Sequence, residues 1–487
     1  MKVPLDIFSG FYQSESTPFN SQRCINLIPI IPEAQSLNNK ALFGFPGISA
    51  FATITGKNRG TILANKKSYF VNGTALHRVN SDGTGTSLGT VGGVKRVSMA
   101  TNTTVDGNTK IVIVVPGGSS YVYDESVGSV VSITDPDFIT ADSVVFKDGY
   151  FVFSASNGLN LFQSSLNDPL TFDALETGTA EIDPDLIVAL TVNHNELFVM
   201  GEETAELFQN VGGNGFVFQR IPGANIQKGL HARAGMVNFD NSFAFVGGGK
   251  NEMSAIWKVS GSSSAVKIST TAIDTAIQKF TKEEIAESFA ISWSMNGNYF
   301  LSFTFESLRI PSKTFVYNAT TSAFSGGSSW FELQSGVSDN RWRVQSMVQA
   351  YGKLLVGDRE TGKIGYLDNS VYTEYGDVIL RYVVSSPFRA LDNSQFWDSL
   401  ELRMESGVGL ATGQGSEPVI RMSYSNNGGR SFSSEFARGF GKIGEYLRRT
   451  IWRRQGRIPT ERVLRFTMTD PVRCNILACT VNDEVGE

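Results

Sequence analysis

The chain has 487 residues, more than one ordinary hydrophobic core supports, so two domains or a large repeat array with an appendage are expected. Its 49 glycines, 11% aromatic residues and only 18% charged residues suit many short strands joined by tight turns and argue against a helical bundle. A formal net charge of -5 gives no global attraction to nucleic acid or anionic membranes, which leaves any such contact to a local patch.

Residues 1–55 read unlike the rest. Pro4, Pro18, Pro29, Pro32 and Pro46 interrupt short apolar pieces and prevent a continuous helix or central strand, so an extended N-terminal arm is expected. Its apolar content, including Phe8, Phe11, Ile25, Leu27 and Ile28, is too high for a solvated tail and calls for packing on this subunit or a neighbour. The next domain, 56–378, repeats pairs of short alternating strands closed by Gly, Asn or Asp. Segments 67–73, 145–153, 192–199, 238–246, 293–301 and 349–357 each read as strand, tight turn, strand, mostly roughly 40 to 55 residues apart.

A four-strand unit of that length is the signature of a propeller blade. One such sheet cannot bury both faces alone, and blades stacked around an axis hide each other's apolar sides. About seven blades are expected, with a β-sandwich or solenoid as the alternative use of the same hairpins. One helix should interrupt the pattern at about 274–289, where Thr281-Lys282-Glu283-Glu284 matches a capping box and Ile277, Phe280, Ile285 and Phe289 recur at near-helical spacing. In residues 379–487 longer alternating strands, 400–405, 419–424 and 463–468, predict an antiparallel β-sandwich. The expected fold is therefore all-β: a β-propeller, a C-terminal sandwich and an extended arm.

Parts for catalysis are scarce. His77 and His194 fall inside hairpins and His231 stands beside Arg233, none with a metal partner at short spacing. Cys24 is remote from Cys474 and Cys479, which makes neither a disulfide framework nor a zinc set and fits a reducing compartment. The five-residue offset of Cys474 and Cys479 would put them on opposite faces of one strand. Gly247-Gly248-Gly249-Lys250-Asn251 lacks the earlier glycine and following Ser/Thr of a phosphate loop and reads as a turn, as does Asp82-Gly83-Thr84-Gly85. Residues 425–432, Ser-Asn-Asn-Gly-Gly-Arg-Ser-Phe, resemble a degenerate Asp-box, a hairpin device of sialidase propellers that is remote from their chemistry. No apolar run approaches the roughly 20 residues needed to span a bilayer, and 1–6 has no apolar leader core, so a soluble cytosolic product is expected.

The one electrostatic outlier lies near the end. Between Arg438 and Arg473, Arg438, Lys442, Arg448, Arg449, Arg453, Arg454, Arg457, Arg462, Arg465 and Arg473 face only Glu445, Glu461 and Asp470. On a regular strand Arg449, Ile451 and Arg453 would share one face, and Arg448, Trp452 and Arg454 the other. Guanidinium groups suit phosphates because their fork donates two hydrogen bonds at once. Arg448, Arg449, Trp452, Arg453, Arg454 and Arg457 are thus the candidates for lining a DNA channel or for subunit contact. Intersubunit salt bridges or a solvated strand face are the plainer alternatives.

Several stretches in order resemble the packaged-DNA stabilisation (tail hub) proteins of Salmonella-type short-tailed phages. They are Phe45-Pro46-Gly47-Ile48 followed by Arg59-Gly60, residues 201–208, Gln227-Lys228-Gly229, Phe280-Thr281-Lys282-Glu283-Glu284, and the closing 451–458 and Asp470-Pro471-Val472. The resemblance implies a non-enzymatic virion tail protein, without cofactor or metal, that assembles as a hexameric ring. It implies as partners head-to-tail adaptor proteins, a tail fibre or tailspike, a distal needle or plug, and double-stranded DNA passing without sequence specificity. A carbohydrate-binding or carbohydrate-degrading propeller, or a cellular propeller scaffold, are the other functions these hairpins would serve.

Overall fold

Paired turn residues between short apolar strands dictate a chain of antiparallel meanders, and the computed structural model has that form. It describes residues 2–32, 39–102, 108–180, 185–261, 264–389 and 395–485, with 483–485 by backbone alone. The first meander runs Asn58–Ala64, Lys67–Asn72, Ala75–Val79 and Gly85–Thr90. Others begin at Ser98, Ala141, Ile187, Met236, Phe289 and Val344. Most neighbouring innermost strands pack side by side, and Val344–Ala350 returns against Asn58–Ala64, which closes the propeller.

The hairpin between first and second strands has a recurring physical cause. Asn65-Lys66, Asp148-Gly149, Asp240-Asn241, Asn296-Gly297 and Tyr351-Gly352 all hold φ between 46 and 90°. Two successive positive φ values give the turn whose twist matches that of the flanking strands. Most of the expected hairpins lie where the sequence places them. Segment 67–73 instead is a single strand, Lys67–Asn72, because the turn sits earlier, at Asn65-Lys66, where a lysine disguises it. The expected single helix is two, Thr271–Ile277 and Lys282–Ala286. Thr281 caps the second by accepting from the Glu284 backbone while Glu284 accepts from Thr281, which restarts the helix instead of continuing it. Phe289 already belongs to the next strand.

The N-terminal 55 residues form strands in both halves of the molecule. Gly47–Thr53 pairs with Lys363–Asp368 and supplies the outer strand of the last meander. Lys2–Pro4 pairs with Asn475–Val485, and Leu27–Ile30 reaches the same sheet through Ala41–Gly44. Ser21–Ile25 lies parallel to Trp330–Leu333 of the propeller on one side and antiparallel to Arg381–Val384 of the sandwich on the other. One sandwich sheet holds Asn475–Val485, Gln395–Met404 and Thr450–Ile458. The other holds Arg381–Val384, Glu461–Met468, Val419–Ser425 and Phe436–Gly439.

Packing follows this stitching. The largest core joins Leu5, Phe8 and Phe45 of the arm to Trp293 and Trp342 of the propeller and Trp397 and Trp452 of the sandwich. At Gly10, with φ +82°, an added Cβ would sit 2.3 Å from the Trp330 carbonyl oxygen, so only glycine lets the arm lie this close. Arg23 donates twice to the buried Glu332, at 2.8 Å each, and Lys313 joins the same carboxylate at 3.1 Å. Burial would raise the Glu332 pKa, but the two cations overcome it and hold it down. Asn26, at φ 53°, donates to Gln334 O (2.8 Å) and Leu380 O (2.7 Å) and accepts from Gln334 N (3.0 Å). Its one buried side chain therefore ties arm, propeller and interdomain linker.

Asn26→Ala leaves these backbone groups without partners and forces alanine into the left-handed region. It should lower unfolding stability by about 3 kcal/mol in chemical denaturation, and an unchanged midpoint would refute the assigned role. A second outcome concerns Glu374 in the linker strand Thr373–Glu374, whose Oε1 accepts from Trp342 Nε1 at 3.0 Å while the buried Oε2 has no partner. Burial pushes its pKa up to about 7. The native state then holds this proton more tightly than the unfolded chain, with a carboxyl pKa of about 4.3. Its contribution is full below that lower value, is lost as pH rises through the folded pKa, and levels off above it. Glu374→Gln should flatten this fall and add about 2 kcal/mol at pH 8 with little change at pH 5. Parallel pH profiles of wild type and variant would contradict the assignment.

Candidate functional site

The basic segment lies on the rim of the sandwich, where Thr450–Ile458 is the edge strand and bonds in its sheet to Gln395–Met404. Regular alternation fails here. Arg448 and Arg449 precede the strand in an exposed loop, and the register shifts between Arg453 and Gly456. Arg454 sits at φ 58°. This bulge turns Arg453 and Arg454 outward together, so the expected division of faces does not hold.

Trp452 is 1% exposed; its Nε1 donates to Phe436 O at 2.7 Å and its ring lies 5.8 Å from Phe466. It joins the two sheets of the sandwich and is not presented to DNA or a neighbour. Arg449 is committed to Glu401 through two 2.7 Å hydrogen bonds, and these bonds, ahead of Lys2, bring the Glu401 pKa down to about 2. Arg462 is buried between Tyr424 (4.3 Å) and Trp397 (5.5 Å) and donates to Asn426 Oδ1, Gln455 O and Arg457 O. Burial lowers its pKa. Arg465 stacks on Phe432 and bonds Ser423, Arg473 pairs with Glu405, Lys442 pairs with Glu417, and Arg438 donates to Ile451 O.

What remains is narrower than the charge count. Arg448, Arg453, Arg454 and Arg457 are exposed and form no ion pair among the described residues. The last three lie along one strand edge, where charge and a bulge also discourage unwanted strand pairing. Beside Arg448 the loop carries a feature the sequence reading missed: Ile443, Tyr446 and Leu447 are 65%, 73% and 95% exposed. The available signal was the glycine pair Gly441 and Gly444, both at positive φ, which marks a turning loop here.

Elsewhere the motifs resolve into structure. Cys24, Cys474 and Cys479 are all buried, and burial raises the Cys474 pKa to about 11. Cys474 and Cys479 share one core rather than opposite faces, because a register shift opposite Arg403 and Met404 lies between them. Gly247 lies where a Cβ would meet Gly229 O at 1.8 Å, and Glu252 already accepts from Gly249 N at 2.9 Å, so the glycine run serves close strand packing. Asp82 accepts from Thr84 N and Oγ1 in a turn. The Asp-box-like loop is held by Asn427, which accepts from Ser431 N at 3.0 Å and donates to Ser431 Oγ at 2.8 Å. His231 Nδ1 and Ser254 Oγ are 2.7 Å apart, and the His77 Nε2 is buried without a partner. Among the described residues no group of three metal-ligating side chains converges, and no helix is long and apolar enough to cross a membrane.

A family model described as Bacteriophage P22 Gp10, beta-propeller, matches residues 1–372, and a second, described as Bacteriophage P22 Gp10, beta-sandwich, matches residues 381–484. The tail hub protein gp10 of Salmonella phage P22 is 25% identical over 432 residues, covering 86% of this chain and 86% of its own. Among solved structures, the computationally designed Ika8 protein aligns with 14% identity and a TM-score of 0.38, covering 72% of this chain and all of its own. U3-55K aligns with 9% identity and a TM-score of 0.37, covering 66% of this chain and 99% of its own. Both structural likenesses are too distant to carry an argument. With both halves matched in order, the chain belongs to the phage P22 Gp10 family of structural, non-catalytic tail proteins, built from a β-propeller and a β-sandwich.

Proposed function

We propose that this chain is the tail hub of a short-tailed phage, forming a hexameric ring between the head-to-tail adaptor proteins and the distal tail. The ring carries fibres or tailspikes, is closed below by a needle or plug, and forms part of the channel through which packaged DNA is retained and later released. The chain is made in the host cytoplasm and acts in the virion. The observation that carries this reading is the match of nearly the whole chain, both domains in order, to a tail hub protein.

The charge distribution gives the reading a mechanism. Arg453, Arg454 and Arg457 stand along one exposed edge with no ion-pair partner among the described residues, and guanidinium groups arranged this way attract phosphates of any sequence. Arg448 and the exposed Ile443, Tyr446 and Leu447 beside it suit contact with another protein, where a desolvated aromatic and aliphatic anchor contributes most. Retention of DNA under pressure is then a matter of fit and charge at the ring, with no chemical step.

Arg453, Arg454 and Arg457 changed together to Glu should leave the protein folded, since none makes an ion pair among the described residues. Virions carrying the change should package DNA and then lose it. Each contact weakened by about 1.4 kcal/mol loosens tenfold, so nuclease-protected DNA per particle should fall severalfold on storage. Full, infectious particles would reduce this edge to a solvated rim. Images of the tail that place the protein off its axis, or as a single copy, would overturn the hub itself.

A further inference from the structure

Large apolar side chains left in water gather at two places on this chain. One is the sandwich loop with Ile443, Tyr446 and Leu447, which is tied to the neighbouring loop that carries Leu410, itself 41% exposed. Ser406 Oγ donates to Tyr446 O at 2.7 Å and Gly444 N to Gly407 O at 3.2 Å. The other lies in the propeller, in the meander that begins at Ala141, between its strands Asn160–Gln163 and Thr177–Thr179. There Leu166, Leu170 and Leu175 are 60%, 36% and 82% exposed. Asp168 accepts from Leu170 N at 3.2 Å and Asp173 from Leu175 N at 2.9 Å, which fixes the backbone that carries the leucines. No other run of ten described residues holds three such side chains.

The two patches carry opposite charge. Around the sandwich loops Lys2, Arg403, Lys442, Arg448, Arg449 and Arg473 meet four acids, Glu401, Glu405, Glu417 and Glu445. Glu401 pairs with Lys2 and Arg449, Glu405 with Arg473 and Glu417 with Lys442. The exposed Arg403 and Arg448 form no ion pair among the described residues. Around the leucines stand Asp135, Asp137, Asp168, Asp173 and Glu176, with Asp135 brought there by a 3.3 Å hydrogen bond from Phe172 N. Among the described residues their one cation at ion-pair distance is Lys110, 3.7 Å from Asp168 and shared with Asp124. Burial raises the Glu176 pKa, and the charge of Asp173 adds to it against a hydrogen bond from Gln163. Whole halves show the same polarity: residues 379–487 hold 15 Lys and Arg against 12 Asp and Glu, and residues 1–378 hold 27 against 35.

The fold keeps these patches apart within one molecule. The sandwich is joined through Ser21–Ile25 to the meander that begins at Phe289, and the shared core extends to the one that begins at Val344. Around the closed propeller the meander that begins at Ala141 is separated from these by two others in either direction. Its loop therefore faces away from the sandwich of its own chain.

We propose that the sandwich loops of one copy dock on this propeller loop of the next copy, apolar anchor against apolar anchor, with Arg403 and Arg448 facing the acids. The pairing rests on the ring reading above and supplies its interface. A contact between two different patches passes from copy to copy and closes into a ring where the rotation permits. Desolvated aromatic and aliphatic anchors at its centre carry most of the affinity, and opposite charges around them set the register.

The test is disulfide trapping of the full chain in assembled virion tails. Glu445→Cys and Ala174→Cys lie at exposed positions beside the two anchors, and the native cysteines are buried. A chain carrying both should give, on mild oxidation, a ladder of covalent multimers beyond the dimer. The two single variants produced together should stop at dimers, and each alone should give none. Leu447→Ser or Arg448→Glu should lower the trapped yield about tenfold, and Asp137→Lys in the same chain as Arg448→Glu should restore it. The cysteine pair keeps the test intact if a charge variant fails to assemble. Rings on the tail axis without such trapping, multimers from Glu445→Cys alone, or capture of a different virion protein by Glu445→Cys would each overturn this pairing and leave the hub standing. A single copy on the tail would overturn both.

Discussion

Backbone hydrogen bonding along Ser21–Ile25 sets the relation between the two halves of the molecule. A propeller blade ends in an outer strand with an open edge, and a sandwich sheet has edges of its own; both are rows of unpaired donors and acceptors. Here one short strand lies between Trp330–Leu333 and Arg381–Val384 and satisfies part of each. The ion pair of Arg23 with buried Glu332 and the three hydrogen bonds of Asn26 fix its position, and the shared core of Phe45, Trp293, Trp342 and Trp397 forms around it. The propeller and the sandwich are therefore parts of one packed body, joined by much more than the linker between them.

Much of this architecture was legible in the sequence because turns announce themselves. Asp148-Gly149, Asp240-Asn241 and Asn296-Gly297 are residue pairs that tolerate positive φ, and each marks a hairpin that the structure contains. Asn65-Lys66 has the same geometry with a residue that gives no such signal, and there the reading slipped by part of a strand. The arm was harder. Its prolines spoke truly against a long strand, yet short strands of two to seven residues form, Lys2–Pro4 and Leu27–Ile30 each holding a proline, and several of their partners lie hundreds of residues away. Nothing local in Gly47–Thr53 says that it completes a sheet begun at Val344.

The candidate site was legible as composition and illegible as geometry. The sequence locates an excess of cations near Arg438 to Arg473 but not which of them are already satisfied. Arg462 reads like its neighbours and is buried between two aromatic rings; Trp452 reads like an exposed anchor and is core. Strand parity, the usual guide to faces, failed at the bulge beside Arg454 and again between Cys474 and Cys479, since a single register shift inverts every assignment beyond it. Arg96 and Arg341, far apart in sequence, lie over the same Phe289 ring, and only the closed propeller brings them together.

The pairing of Lys2–Pro4 with Asn475–Val485 bears on the order of events at the ribosome. The arm, with its apolar Phe8, Phe11, Ile25 and Leu27, emerges hundreds of residues before its partner strand in the sandwich. Vectorial, domain-by-domain folding is closed to such a chain. The early meanders can form as they emerge, while Lys2–Pro4 has no partner strand until Asn475–Val485 is released. This long-range closure makes folding slow, since many residues separate the paired ends. It also makes the finished fold self-inspecting: a chain arrested before the sandwich is complete cannot bury its own beginning, and carries that exposed apolar arm as the mark of an unfinished product.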